Sequence, residues 1–94
     1  MHSNEPRFSL GQCVATPGAI DTIAETGEDL YSFVRRHHIG DWGSICEEDA
    51  QANEDAVANG SRLLSVYVTK NDDKLYVITE ADRSVTTVLL PGEY

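Results

Sequence analysis

The residues best suited to chemistry lie together in the middle of the chain. They are His37, His38, Asp41 and Cys46, followed directly by Glu47, Glu48 and Asp49. These are side-chain types that zinc accepts. The spacing departs from a standard structural site, because there is no Cys-x2-Cys pair and adjacent histidines on a helix point about 100° apart. The expected arrangement puts His37 on an apolar helix stripe and His38 at the helix end, in solvent. A cysteine–histidine nucleophile pair would join Cys13 or Cys46 to His37 or His38. No family-type motif surrounds either cysteine, and three acids follow Cys46, opposing the thiolate that a helix N-terminus would favour. A small metal- or Cys/His-dependent enzyme therefore stands as the alternative reading. The main expectation is no enzyme activity, no catalytic residue, no cofactor and no metal.

The other charged groups read as recognition rather than reaction. Between Ile39 and Ser61 there is no Lys or Arg, while Asp41, Glu47, Glu48, Asp49, Glu54 and Asp55 carry six negative charges. Carboxylates spaced along a helix can imitate a row of phosphates and occupy the basic groove of a nucleic-acid-binding protein. The plainer reading is a solvated helix face. Trp42, held between Asp41 and Gly43, either anchors an interface or folds back between two helices. Together Asp41, Trp42, Glu47, Glu48, Asp49, Glu54 and Asp55 form the candidate interaction surface. Glu80, Asp82 and Arg83 form a second cluster at one end of the strands. Its plainer reading is a turn in which Asp82 accepts from backbone N–H groups and Arg83 pairs with an acid. Gly40-Asp41-Trp42-Gly43 lacks the lysine and preceding strand of a phosphate loop. Arg35, Arg36 and Arg62 are expected to pair with acids rather than to hold an anion.

These residues need elements to position them. Thr16-Pro17 is a capping residue followed by a proline suited to a first turn, and Ala19, Ile20, Ile23 and Ala24 line one face up to Gly27. A second helix from about Glu28 or Asp29 to His37 carries Leu30, Phe33, Val34 and His37 as its core stripe, with acids at its start and Arg35 and Arg36 at its end. A third, from Ser44 or Cys46 to Ala58 or Asn59, has a thin apolar face and is expected on the surface. The period then changes from helical to alternating. Strands are predicted over Arg62–Thr69, Leu75–Thr79 and Val85–Leu90, joined by turns at Asn71-Asp72-Asp73 and Ala81–Ser84. Alternation around Gly11 suits a short strand from Phe8 to Val14. The fold class is α+β: about three N-terminal helices packed on a C-terminal three-stranded antiparallel β-meander, with or without that N-terminal strand. Residues 1–7 are expected to be disordered, and 8–94 to form one domain.

Composition narrows the partners. The chain has 94 residues and a net charge of −9, which opposes affinity for nucleic acid or anionic membrane and suits a basic protein partner. No run approaches the ~20 apolar residues of a membrane span, and Met1–Arg7 holds no signal-like apolar stretch. A cytoplasmic location is expected, with Cys13 and Cys46 as reduced, partly buried thiols. Apolar residues on both strand faces also leave a homodimer open, through an edge strand or the second face of the sheet.

Several stretches together resemble a known family. Ala15-Thr16-Pro17-Gly18-Ala19, Gly40-Asp41-Trp42-Gly43, Asn59-Gly60-Ser61-Arg62-Leu63-Leu64-Ser65, Ile78-Thr79-Glu80-Ala81-Asp82-Arg83-Ser84 and Leu89-Leu90-Pro91-Gly92-Glu93-Tyr94 are similar to a family of small bacterial "plasmid-related" proteins. The resemblance spans Phe8 to Tyr94, and Ile78–Ser84 is its most specific part. It implies cargo of plasmids and integrative elements and supplies no catalytic residues. Some relatives carry a restriction-modification label. This sequence has neither the glycine-rich strand-helix motif nor the Asn-Pro-Pro-aromatic motif such a methyltransferase needs. The expectation is an acidic accessory protein of a mobile element acting by protein binding, DNA mimicry being one version.

Overall fold

A computed structural model describes residues 5–94. Strand β1 (Gln12–Ala15) is followed by helices α1 (Pro17–Thr26), α2 (Leu30–His38) and α3 (Glu47–Asn59). Strands β2 (Leu63–Val68), β3 (Lys74–Thr79) and β4 (Val85–Leu89) follow, and a 3₁₀ turn at Pro91–Glu93 ends the chain. The helix boundaries follow the expected caps. The Thr16 hydroxyl accepts from the Ala19 N–H at 3.1 Å, Pro17 occupies the first turn, and Gly27 closes α1 in the left-handed conformation. Asp29 caps α2 by accepting from Tyr31 N–H at 3.0 Å. Gly60 closes α3.

The meander is present, but it is three strands of four. The sheet order is β1-β4-β3-β2, with β2–β3 and β3–β4 antiparallel and β1 parallel to β4. Parallel pairing joins distant segments and leaves no hairpin signal, so local patterning reads the strand without its partner. β1 also starts at Gln12 rather than Phe8. Gly11 takes φ +63°, and a Cβ there would lie 2.3 Å from the Ser84 carbonyl oxygen. The chain turns at this glycine, and Phe8 to Leu10 run against the helices instead. Of the segment expected to be disordered, residues 1–4 lie outside the described residues. Arg7 is held, its N–H donating to the His38 carbonyl at 2.9 Å.

Strand alternation sets the core. Tyr67, Leu75, Val77 and Val88 face Ala19 and Ile23 of α1 and Phe33 and Val34 of α2. A smaller cluster of Trp42, Ala56 and Leu63 joins α3 to the sheet margin. α3 thus does more than lie on the surface, since it buries Asn53 and Ala56. The Asn53 amide donates to the Leu64 carbonyl at 2.8 Å and accepts from the Leu64 N–H at 3.1 Å. A side chain thereby completes the ladder that a further strand would have supplied on β2. Beyond it the Trp42–Ser44 segment does the same with backbone. Val66 N–H donates to the Trp42 carbonyl at 3.1 Å, and Ser44 N–H to the Val66 carbonyl at 2.7 Å. Gly43 makes that approach possible, because a Cβ there would lie 2.1 Å from the Val66 oxygen.

Asn53→Asp keeps the shape but replaces the donor with an acceptor facing the Leu64 carbonyl. The expected loss is on the order of 2–3 kcal/mol, from an unsatisfied buried group carrying charge. Gln51→Ala, on the exposed side of the same helix, should stay within about 0.5 kcal/mol. Urea unfolding of both variants decides whether the amide covers the edge, because equal losses would show that it does not.

Candidate functional site

The most concentrated polar grouping in the core surrounds His37, which the α2 stripe carries into the sheet. Its Nδ1 lies 2.6 Å from the Ser65 hydroxyl and its Nε2 lies 2.9 Å from the Thr79 hydroxyl. Thr79 lies 2.7 Å from the Thr86 hydroxyl, which donates to the Leu10 carbonyl at 2.7 Å. All four side chains have zero exposure.

The direction of every hydrogen in this chain follows from its last member. A carbonyl only accepts, so Thr86 spends its hydrogen on Leu10 and accepts from Thr79. Thr79 then accepts from His37 Nε2–H. A neutral imidazole carries one N–H, so Nδ1 accepts from Ser65. Ser65 and His37 therefore resemble a nucleophile and base in contact, but no solvent or substrate reaches them. Burial first, and then the charges of His38 and Arg83, hold the His37 imidazole down at about 3. The arrangement keeps the ring neutral and the hydrogen order fixed. It has no route to proton transfer with a substrate.

The remaining members of the cluster in the alternative catalytic or metal reading are not brought together around His37. His38 Nε2 donates to the Phe8 carbonyl at 2.9 Å and is half-buried rather than free in solvent. Cys46 sits at the N-cap of α3 without a side-chain cap bond. Both Cys13 and Cys46 are free and exposed, where partial burial was expected. Among the described residues, no three His, Cys, Asp or Glu side chains group as a metal site.

The acidic surface divides into two classes. Trp42 is only 6% exposed, so it fills the gap between α2 and α3 and is unavailable as an interface anchor. Its indole N–H donates to Glu54 at 2.9 Å, and Arg7 grips the same carboxylate with two bonds of 2.7 and 3.0 Å. Asp41 pairs with Arg36 at 2.7 Å and accepts from the Gly43 N–H at 3.2 Å. The cations hold both carboxyls below their usual range. Glu47, Glu48, Asp49 and Asp55 remain at the surface. Asp55 accepts from Gln51 at 3.1 Å, and the first three have no ion-pair or side-chain hydrogen-bond partner among the described residues.

The Glu80, Asp82 and Arg83 cluster also resolves into structural parts. Asp82 accepts from the Ser84 N–H at 3.0 Å, as the turn reading expected. No ion pair of Arg83 with an acid is present among the described residues. Its guanidinium donates to the carbonyls of Ser61 at 2.6 Å, Ala56 at 2.9 Å and Glu80 at 3.1 Å. It thereby places a positive charge on the C-terminal end of α3, where the helix dipole favours one. Glu80 is half-buried and accepts from the Arg83 N–H through its carbonyl. Of the arginine trio, Arg36 pairs as expected, whereas Arg62 lies 5.0 Å over the Tyr94 ring. No protein-family model, curated protein or solved structure matches the chain.

The sealed histidine has a measurable signature. Its folded pKa lies below its unfolded value of about 6.5, so below that pH only the unfolded chain gains the proton and stability falls as pH falls. The expected loss is about 2 kcal/mol between about pH 6.5 and 5, before the carboxylates titrate. His37→Gln should keep one donor and one acceptor but lose this slope. Urea midpoints across that window test it, and an unchanged slope in the variant would assign the pH dependence elsewhere.

Proposed function

We propose that the protein is a non-enzymatic accessory protein of a mobile genetic element, acting by binding a basic protein through the exposed acidic side of α3. The observation that carries this reading is the partition of the acidic residues. Arg7 and Arg36 neutralise Glu54 and Asp41 in ion pairs at the surface, while Glu47, Glu48 and Asp49 stay unpaired among the described residues. Asp55 lies two turns beyond Glu47 on one side of the helix, about 12 Å along the axis, with the uncharged Gln51 between them. The helix fixes the backbone spacing of these carboxylates, so binding orders only their side chains and those of the lysines and arginines they meet.

The resemblance to plasmid-related proteins supports the mobile-element setting. DNA mimicry is the more specific form, in which the row occupies the groove that a nuclease or other DNA-binding protein offers to phosphates. The net charge of −9 supports a protein target over nucleic acid. No helix of the described residues is long and apolar enough to cross a membrane.

The test is binding to a panel of basic nucleic-acid-binding proteins from the host at low and high salt. Affinity should fall steeply with salt and be lost when Glu47, Glu48 and Asp55 are reversed to lysine. Glu54 is left intact because it holds Arg7 and Trp42. Binding that ignores salt, or survives the reversal, overturns the reading.

A further inference from the structure

The two edges of the sheet are treated differently. β2 is covered by the Asn53 amide and the Trp42–Ser44 segment. β1, at the opposite margin, pairs only with β4 among the described residues. Gln12 and Thr16 donate to the carbonyls of Ser84 and Val88. The alternation of a ladder therefore turns the N–H and C=O groups of Cys13 and Ala15 outward. An uncovered edge of this kind is a template for another strand.

The side chains around it are apolar and exposed. Val14 is 40%, Ile20 49% and Tyr31 63% exposed, three of the five large hydrophobic residues that stand out of the surface. With Cys13, Ala15 and Leu30 they line a groove of about 280 Å³ in which no lining residue is charged. The lining itself offers a partner no charged contact, and the exposed acids Asp21 and Asp29 adjoin it in sequence.

We propose that β1 is a dimerisation edge, on which two copies of this chain pair antiparallel about a two-fold axis at Val14 to form one eight-stranded sheet. This register satisfies all the outward groups. Cys13 exchanges two hydrogen bonds with the partner's Ala15, and Ala15 exchanges two with the partner's Cys13. Val14 then meets the partner's Val14 as a close, non-hydrogen-bonded pair on the axis. The patch is its own complement, as a two-fold interface requires.

The acids of α3 do not oppose the assembly, because of where they lie. α3 packs against β2, three strands from β1. At ~4.8 Å per strand, each acidic helix sits ~17 Å or more from the axis, so the pair is separated by several Debye lengths at physiological salt. Neither the acidic row nor its partner enters the interface, so this inference stands independently of the proposed function.

The test has two arms. Light scattering of the full chain over a concentration series should approach twice the 10.3 kDa chain mass, and Val14→Lys should return it to a folded monomer whose unfolding midpoint no longer rises with concentration. In a Cys13→Ser, Cys46→Ser background, Val14→Cys should form an intermolecular disulfide under mild oxidation, whereas Val68→Cys, equally exposed on β2, should not. Monomer mass at every concentration overturns the proposal. So does a dimer that survives Val14→Lys, or one that crosslinks through Val68→Cys and not through Val14→Cys.

Discussion

The Leu10 carbonyl can only accept a hydrogen bond, and that constraint reaches through four buried side chains to the far side of the core. It orders Thr86, Thr79, His37 and Ser65, which come from β4, β3, α2 and β2, and it ties the segment before β1 to the same line. A polar chain of this kind contributes little net stability for each bond but is costly to leave unmade. Its effect is therefore on register. A one-residue slip of β2 or β3 would present Leu64 or Ile78 to the imidazole in place of Ser65 or Thr79 and orphan a buried ring nitrogen. The apolar core allows the sheet and helices to pack, and the histidine chain selects which packing they adopt.

The same logic explains what could be read from the sequence and what could not. α1 was legible because its signals are local: Thr16, Pro17 and Gly27 each act within one turn. The meander was legible because Leu63 to Leu89 alternate around short turns. The short N-terminal strand was legible, but its place in the sheet was hidden, because its partner lies some seventy residues away and parallel pairing has no turn to announce it. The polar chain left a trace that could have been followed. Ser65, Thr79 and Thr86 fall in the same strand phase as Leu63, Leu75, Val77 and Val88, so three hydroxyls were bound for the core beside a histidine on an apolar stripe. Asn53 left a similar trace, lying between Ala50 and Ala56 on the inward side of an otherwise polar helix. The role of Arg83 left none, since the carbonyls it meets belong to backbone that any residue would supply.

Charge at the surface is divided between paired and unpaired acids. The stretch from Ile39 to Ser61 contains no base, yet two of its acids are neutralised by arginines that precede it in sequence, Arg7 and Arg36. Each pair fixes something nearby: Arg7–Glu54 closes the N-terminal segment over Trp42, and Arg36–Asp41 steadies the loop that carries Gly43 to the β2 edge. What reads in sequence as one acidic block is, in the fold, two structural clamps and one exposed row on α3. The unpaired acids of the stretch thus lie on one helix, while the groove beside β1 has no charged residue in its lining.

The Asn53 amide and Gly43 backbone have a consequence for how far such a sheet can grow. A strand edge that accepts one neighbour usually presents another edge to the next, and assemblies built this way run on into ladders and fibres. Here the β2 end is already terminated by a side chain from the chain's own helix. A molecule with one blocked end and one open end has a valence of one. Joining two such molecules consumes both open ends, and the assembly stops at a finite size set by one asparagine and one short backbone segment.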